Sequence, residues 1–229
     1  GPAHIRPSCG TVAKVSMMVV EPRAIHERHL RRLRWSHRRF HRVLTADENL
    51  LEEIPNGLFL PFGSTWVPHW QNLDLSKSAD ISLIGSSKNY LEGHKLRHTI
   101  VDWAAKKGVP VNVMGGGYKP FKKKSDGLAS YRFSVIIENT REKNYFTEKL
   151  IDAVLCETVP IYWGCTNISD FIDVEGMILC HTEADVKEAI LGATHQLFQQ
   201  KLPALKKAKD QAVFWADLEK RAAQKILSS

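Results

Sequence analysis

Absences narrow this 229-residue chain before any motif does. It holds only four cysteines, Cys9, Cys156, Cys165 and Cys180. None stands at a metal-ligand spacing, which argues against a zinc module, and scattered cysteines of this kind read as reduced thiols in a cytoplasmic setting. The apolar runs are strand-sized, well short of the roughly 20 residues that a membrane helix needs, so no membrane span is predicted. Nothing at the start reads as a secretory signal, and Gly1-Pro2 has the look of residues left by tag removal. There is no Asp-x-Asp pair to hold a metal; the nearest pattern is Asp170-Phe-Ile-Asp173. The run Gly115-Gly116-Gly117 is no dinucleotide fingerprint, because the G-x-G-x-x-G spacing and the following helix are missing. No internal repeat or low-complexity tract occurs.

What is present suits a folded α/β protein. An apolar content of 43% can fill one sizeable core or two small ones. The most informative stretch is Tyr131 to Asp173. Phe133 to Ile137, broken only by Ser134, suits a strand buried on both faces of a parallel sheet. Glu138 and Asn139 follow at its carboxyl end, the edge where open α/β sheets bind ligands. Thr147 can cap a helix whose first turn holds Glu148 and Lys149 and whose apolar positions Leu150, Ile151, Val154 and Leu155 recur at helical spacing. A helix start offers unpaired N–H groups to a phosphate, and an adjacent lysine adds a full charge. Val159 to Gly164 reads as the next strand and turn. Singly, a Thr-Glu pair at a helix start is a cap and a nearby lysine is solvated; together they make a βαβ unit with a phosphate-type site.

The amino-terminal part predicts a strand over Lys14 to Val20 that ends in Glu21-Pro22. A carboxylate at a strand end, held by a proline, is a candidate general base, with His26 and His29 as weaker ones. Arg23 to Arg42 carries eight arginines, four histidines and one acid, Glu27. It reads as an amphipathic helix with a charged outer face, dense enough to attract an anionic partner such as a nucleic acid, an acidic glycan or lipid phosphates. No specific nucleic-acid motif accompanies it. Strands are expected at 40–45 and 57–61 with a short helix at 46–53, followed by a Gly- and Pro-punctuated passage, residues 62–70, into a second domain. Lys119 to Lys124 is expected to be a mobile basic loop. The tail from Leu197 to Ser229 predicts two helices around Pro203, a tail that can pack back on the first domain.

The order Glu138-Asn139, Tyr145-x-Thr147-Glu148-Lys149, then Val159-Pro160-Ile161-Tyr162-Trp163-Gly164 closely resembles the donor signature of the family-10 fucosyltransferases. The similarity extends to His94–Asp102, to the VNVMGGGY segment ending at Tyr118 and to Thr182–Ile190, covering roughly residues 77 to 200. It implies a GT-B-like α/β fold in which residues 77–229 form a Rossmann-type parallel-sheet donor domain with carboxy-terminal helices. Residues 1–76 would form a shortened acceptor-side α/β domain, either minimal or cut from a longer chain.

The resemblance also implies a function: inverting, metal-independent transfer of a sugar, L-fucose from GDP-fucose, to a glycan hydroxyl. The GDP-sugar is a co-substrate, and no cofactor or metal is expected. Arg97 and Lys149 would hold the diphosphate, with Glu138, Asn139, Tyr145 and Glu148 completing the donor site. Glu21 would be the base, since in that family the base is a glutamate of the amino-terminal domain. The setting would be cytoplasmic, of bacterial or viral kind, or the Golgi lumen for a piece of an animal-type enzyme. Two alternatives stay open: another nucleotide-sugar donor on the same scaffold, and a donor-binding piece without full activity.

Overall fold

Short apolar stretches separated by turn residues give short strands in the first part of the chain. The computed structural model describes residues 12–229, so Gly1, Pro2 and Cys9 lie outside it. Strands β1 (Met17–Val19), β2 (Val43–Thr45) and β3 (Gly57–Phe59) pair in parallel in the order β1-β2-β3, linked by helices α1 (Arg23–Ser36) and α2 (Glu48–Glu53). Each strand is shorter than its apolar run predicts. The 3-10 turn His37–Arg39 delays β2, and Pro61 has no N–H with which to extend a ladder beyond β3.

The basic segment is not one helix through Arg42. Asn56 Nδ2 donates to the carbonyls of His37 (3.0 Å) and Phe40 (2.9 Å), which draws the backbone out of the helical path after Ser36. Leu30, Leu33, Phe40, Val43, Leu50 and Ile54 form the core beneath. Asp47 caps α2 by accepting from the Leu50 N–H at 2.8 Å and also takes a bond from Arg23 Nη2.

The larger unit is built on long buried strands. β4 (Ala79–Gly85), β5 (Asn112–Gly115), β6 (Tyr131–Ile137), β7 (Val159–Trp163) and β8 (Ile178–Leu179) form one parallel sheet in the order β5-β4-β6-β7-β8. The lone polar residue of the β6 core run, Ser134, is accommodated by Ser82 on β4, whose hydroxyl donates to Ser134 Oγ (2.9 Å) or the Gly127 carbonyl (2.6 Å). Helices α3 (Glu92–Lys107), α4 (Glu148–Leu155), α5 (Glu183–Leu191) and α6 (His195–Ala216) complete this unit. The chain runs from β4 through α3 to β5 on one side, then returns to place β6 on the other side of β4. The crevice beyond β4 and β6 is therefore the topological switch point, where such sheets take ligands.

The compact units part differently from the expected 1–76 and 77–229. The smaller unit runs to Phe62 and regains Leu218–Ser229; the larger is Gly63–Asp217. Thr65 and Trp66 belong to the larger unit because both bond to the buried Asp152 carboxylate, by a hydroxyl at 2.5 Å and a backbone N–H at 3.0 Å. The tail breaks at Asp217, not at Pro203. Pro203 and the residue four before it, Gln199, are both exposed, so the carbonyl left without a donor can bond to water and α6 continues. Helix α7 (Leu218–Leu227) then packs Leu218 with Leu44 and Leu60, and its Arg221 donates to the carbonyls of Pro61 (3.1 Å) and Phe62 (3.0 Å). Among the described residues no helix is long and apolar enough to cross a membrane.

Candidate functional site

The site starts with Glu138, the first residue beyond β6. It is fully buried, and two glycines make room for it. A Cβ on Gly93 would stand 1.7 Å from the Glu138 carbonyl oxygen, and one on Gly164 would stand 2.5 Å from Glu138 Cγ. The first turn of α3 and the turn after β7 therefore close on this residue from two directions, an approach that only glycine permits.

The Glu138 carboxylate organises the start of α4. It accepts from the Thr147 N–H (2.8 Å) and the Thr147 hydroxyl (2.8 Å), and Lys149 Nζ lies 3.5 Å away. The Thr147 hydroxyl in turn caps α4, accepting from the Lys149 N–H at 3.2 Å and from Lys149 Nζ at 3.1 Å. Burial pushes the Glu138 carboxyl up, while Lys149 and the Thr147 bonds pull it back. With its hydroxyl accepting twice from Lys149, Thr147 has its proton left to donate, so these contacts fit an ionised Glu138.

Lys149 is set between two carboxylates, with Glu148 Oε1 3.3 Å from its ammonium. Burial alone would lower its pKa, yet Glu138 and Glu148 outweigh that and hold it above the usual lysine value. Burial likewise raises Glu148, and Lys149 and Lys124 together pull it below the ordinary glutamate value. Arg97 reaches the same crevice from α3. Its Nε and Nη2 donate to the Ile137 carbonyl at 3.0 and 2.8 Å, and Nη2 also donates to Asn139 Oδ1 at 2.9 Å. Anchored by two nitrogens, its Nη1 bonds to nothing among the described residues.

Asn139 is further tied to His94, which burial and the adjacent Arg97 push down to about 4, so the ring is neutral at pH 7. Tyr145 is buried on the loop before α4. The structure thus brings together Arg97, Glu138, Asn139, Tyr145, Glu148 and Lys149 within one unit. Glu21 lies in the other unit, half-exposed in the bend after β1.

Two participants were invisible one residue at a time. Lys124, expected in a mobile loop, instead opens the 3-10 turn Lys124–Gly127, where Asp126 accepts from the N–H groups of Lys122 and Lys123. Its ammonium sits 2.8 Å from Asp152 Oδ2 and 3.4 Å from Glu148 Oε1. Asp152 lies one turn beyond Glu148 on α4 and is wholly buried. Only a run of four lysines hinted at Lys124, with nothing to single it out. The three described cysteines are free and buried, and burial pushes their thiols to about 12 (Cys156), 11 (Cys165) and 12 (Cys180).

Chemically, this is a charge-paired crevice at which positive groups converge. It has an α-helix N-terminus, one lysine and one arginine with a free nitrogen, all at the carboxyl edge of a parallel sheet, each cation held by carboxylates or carbonyls behind it.

Comparison with known proteins agrees with that geometry. Residues 76–191, just over half of the chain, match the family described as Glycosyltransferase family 10 (fucosyltransferase) C-term. The chain is 36% identical over 69 residues to the alpha-(1,3)-fucosyltransferase FucT of Helicobacter pylori, which spans 30% of this chain and 14% of that protein. It is 41% identical over 51 residues to an alpha-(1,4)-fucosyltransferase of Arabidopsis thaliana, 22% of this chain and 13% of that one. The matched stretches thus cover only a small part of these relatives' lengths. A crystal structure of an alpha1,3-fucosyltransferase with GDP-fucose superposes with a TM-score of 0.58 at 17% identity, covering 96% of this chain and 76% of the other. That likeness shows the fold, of the GT-B class. On the matched region, which contains every residue of the pocket, the chain belongs to glycosyltransferase family 10.

Proposed function

We propose that this protein transfers L-fucose from GDP-fucose to a hydroxyl of a glycan acceptor, with inversion and without a metal. The observation that carries the reading is the convergence of Arg97, Lys149 and the α4 N-terminus at the switch point, inside the family-matched region. In the transition state the anomeric carbon gains positive charge and the departing diphosphate gains negative charge. Arg97 Nη1 and the Lys149 ammonium would meet the diphosphate oxygens, the work that a divalent ion does in other transferases. Asn139, Tyr145 and Glu148 would complete the donor site, with Glu148 receiving sugar or ribose hydroxyls. Glu138, with both oxygens occupied by Thr147, would position Lys149 from behind.

The acceptor oxygen would attack the anomeric carbon opposite the diphosphate. Its proton passes to a carboxylate, for which Glu21 is the candidate, the anomeric C–O bond to phosphate breaks, and GDP departs. Attack from the opposite face inverts the configuration.

The test is a calorimetric titration with GDP, UDP, GDP-fucose and other nucleotide sugars, with and without EDTA. Selective GDP-fucose binding that survives EDTA is expected. Selective binding of another nucleotide sugar would replace the donor, and no nucleotide binding would overturn the reading.

A further inference from the structure

The arginine-rich helix of the smaller unit takes no part in the chemistry above, yet its outer face has a definite pattern. Trp35, near the end of α1, is 69% exposed. The residues three and four positions before and after it are Arg31, Arg32, Arg38 and Arg39. On α1 those offsets put Arg31 and Arg32 beside Trp35 on one face, Arg28 extends the stripe one turn earlier, and Arg38 and Arg39 follow in the 3-10 turn beyond the helix end. Arg28, Arg31, Arg38 and Arg39 are exposed and Arg32 is partly so. Elsewhere on the helix, arginines do meet acids: Arg23 pairs with Asp47 (2.7 Å) and Arg34 with Glu53 (2.6 Å). Among the described residues no carboxylate pairs with Arg28, Arg31, Arg32 or Arg38. Beneath the stripe, Leu30 and Leu33 fix the helix in the core, so the face is rigidly presented.

We infer that this face docks on an anionic lipid bilayer, with Trp35 at the headgroup level and the arginines on lipid phosphates. An indole is the side chain that favours the membrane–water interface, having an apolar body and one N–H donor, and surrounding cations gain from the negative surface potential. The shape selects the bilayer over a single-stranded nucleic acid. The stripe is the exposed ridge of α1 and the turn after it, with one aromatic residue on it. A nucleic-acid strand is held in a groove with successive aromatic platforms, and a plane needs only a convex ridge. The docking is independent of the donor site, because it involves no residue of the larger unit.

The experiment is co-sedimentation of the full chain with vesicles of phosphatidylcholine alone and with about one-third phosphatidylglycerol, beside a filter-binding arm with single-stranded RNA. Variants are Trp35→Ala and Arg28→Ala/Arg31→Ala, all at exposed positions, with circular dichroism to confirm folding. Binding to the anionic vesicles only is expected. Each arginine contributes about 1 kcal/mol at such a surface, a factor of about five, so the double variant should bind about 25-fold more weakly, and Trp35→Ala should also weaken binding. Failure to bind anionic vesicles would overturn the inference. So would unaltered vesicle binding by both variants, or RNA binding as tight as vesicle binding with Trp35→Ala without effect on either.

Discussion

Replacing Lys124 by methionine tests the buried charge network directly. Methionine keeps most of the side chain's length and apolar stem but removes the ammonium that lies 2.8 Å from Asp152 and 3.4 Å from Glu148. Glu148 retains Lys149 at 3.3 Å, whereas Asp152 is left with only the Thr65 hydroxyl and the Trp66 N–H on its other oxygen. Removing one partner of a buried pair costs about 3–5 kcal/mol, a large share of the roughly 5–15 kcal/mol that holds a domain folded. For a chain of this size that is a fall of roughly 6–20 °C in Tm by calorimetry.

Two internal controls follow from the chemistry. Lys124→Met/Asp152→Asn should recover about half of the loss or more, because the amide still accepts from Thr65 and Trp66 but carries no charge. The pH dependence has a definite sign. Burial raises the Asp152 carboxyl above its unfolded value, and Lys124 is the largest influence opposing this. Without the lysine the folded pKa rises further, so the folded state holds a proton that the unfolded chain releases. The stability of the variant is then greatest at low pH and is lost as pH rises from the unfolded pKa through the folded one. The deficit against the wild type should be smaller at pH 5 than at pH 7.5. A loss under about 1 kcal/mol, additive effects in the double variant, or a deficit independent of pH would refute the reasoning.

Further outcomes can be checked alongside. Lys149→Ala should weaken GDP binding about ten- to a hundredfold in calorimetry, the loss expected for hydrogen bonds to a charged ligand. Glu21→Gln should leave donor affinity unchanged and lower turnover about 10²- to 10⁴-fold in a transfer assay; full activity would remove it as the base. Gly93→Ala places a methyl 1.7 Å from the Glu138 carbonyl, so the start of α3 must retreat and take Arg97 with it. The folded protein should then bind GDP at least about tenfold more weakly.

Legibility in the sequence followed the range of the physics. The β6–α4–β7 unit could be read because each signal is local: an unbroken apolar run for a buried strand, threonine before a helix, glycine after a strand. Arg97 and Lys149 were placed at the pocket by resemblance, and the fold brings them there. The mistakes share a cause. Strand lengths near β2, the helix stop at Ser36 and the continuation of α6 through Pro203 depend on Asn56, Pro61 or solvent at a carbonyl, none of which periodicity contains.

What the sequence by itself determined is most of the element types and the parallel α/β class, because propensity and pattern act over a few positions. Only the tertiary structure decided that Lys124 is one arm of a buried network, that Gly93 and Gly164 enclose Glu138, and that the chain divides at Phe62 with α7 returned to the first unit. Those outcomes rest on contacts between residues far apart in the chain. A lysine becomes a buried partner rather than a solvated one only when another element brings a carboxylate within bonding distance, and local sequence carries no record of that approach.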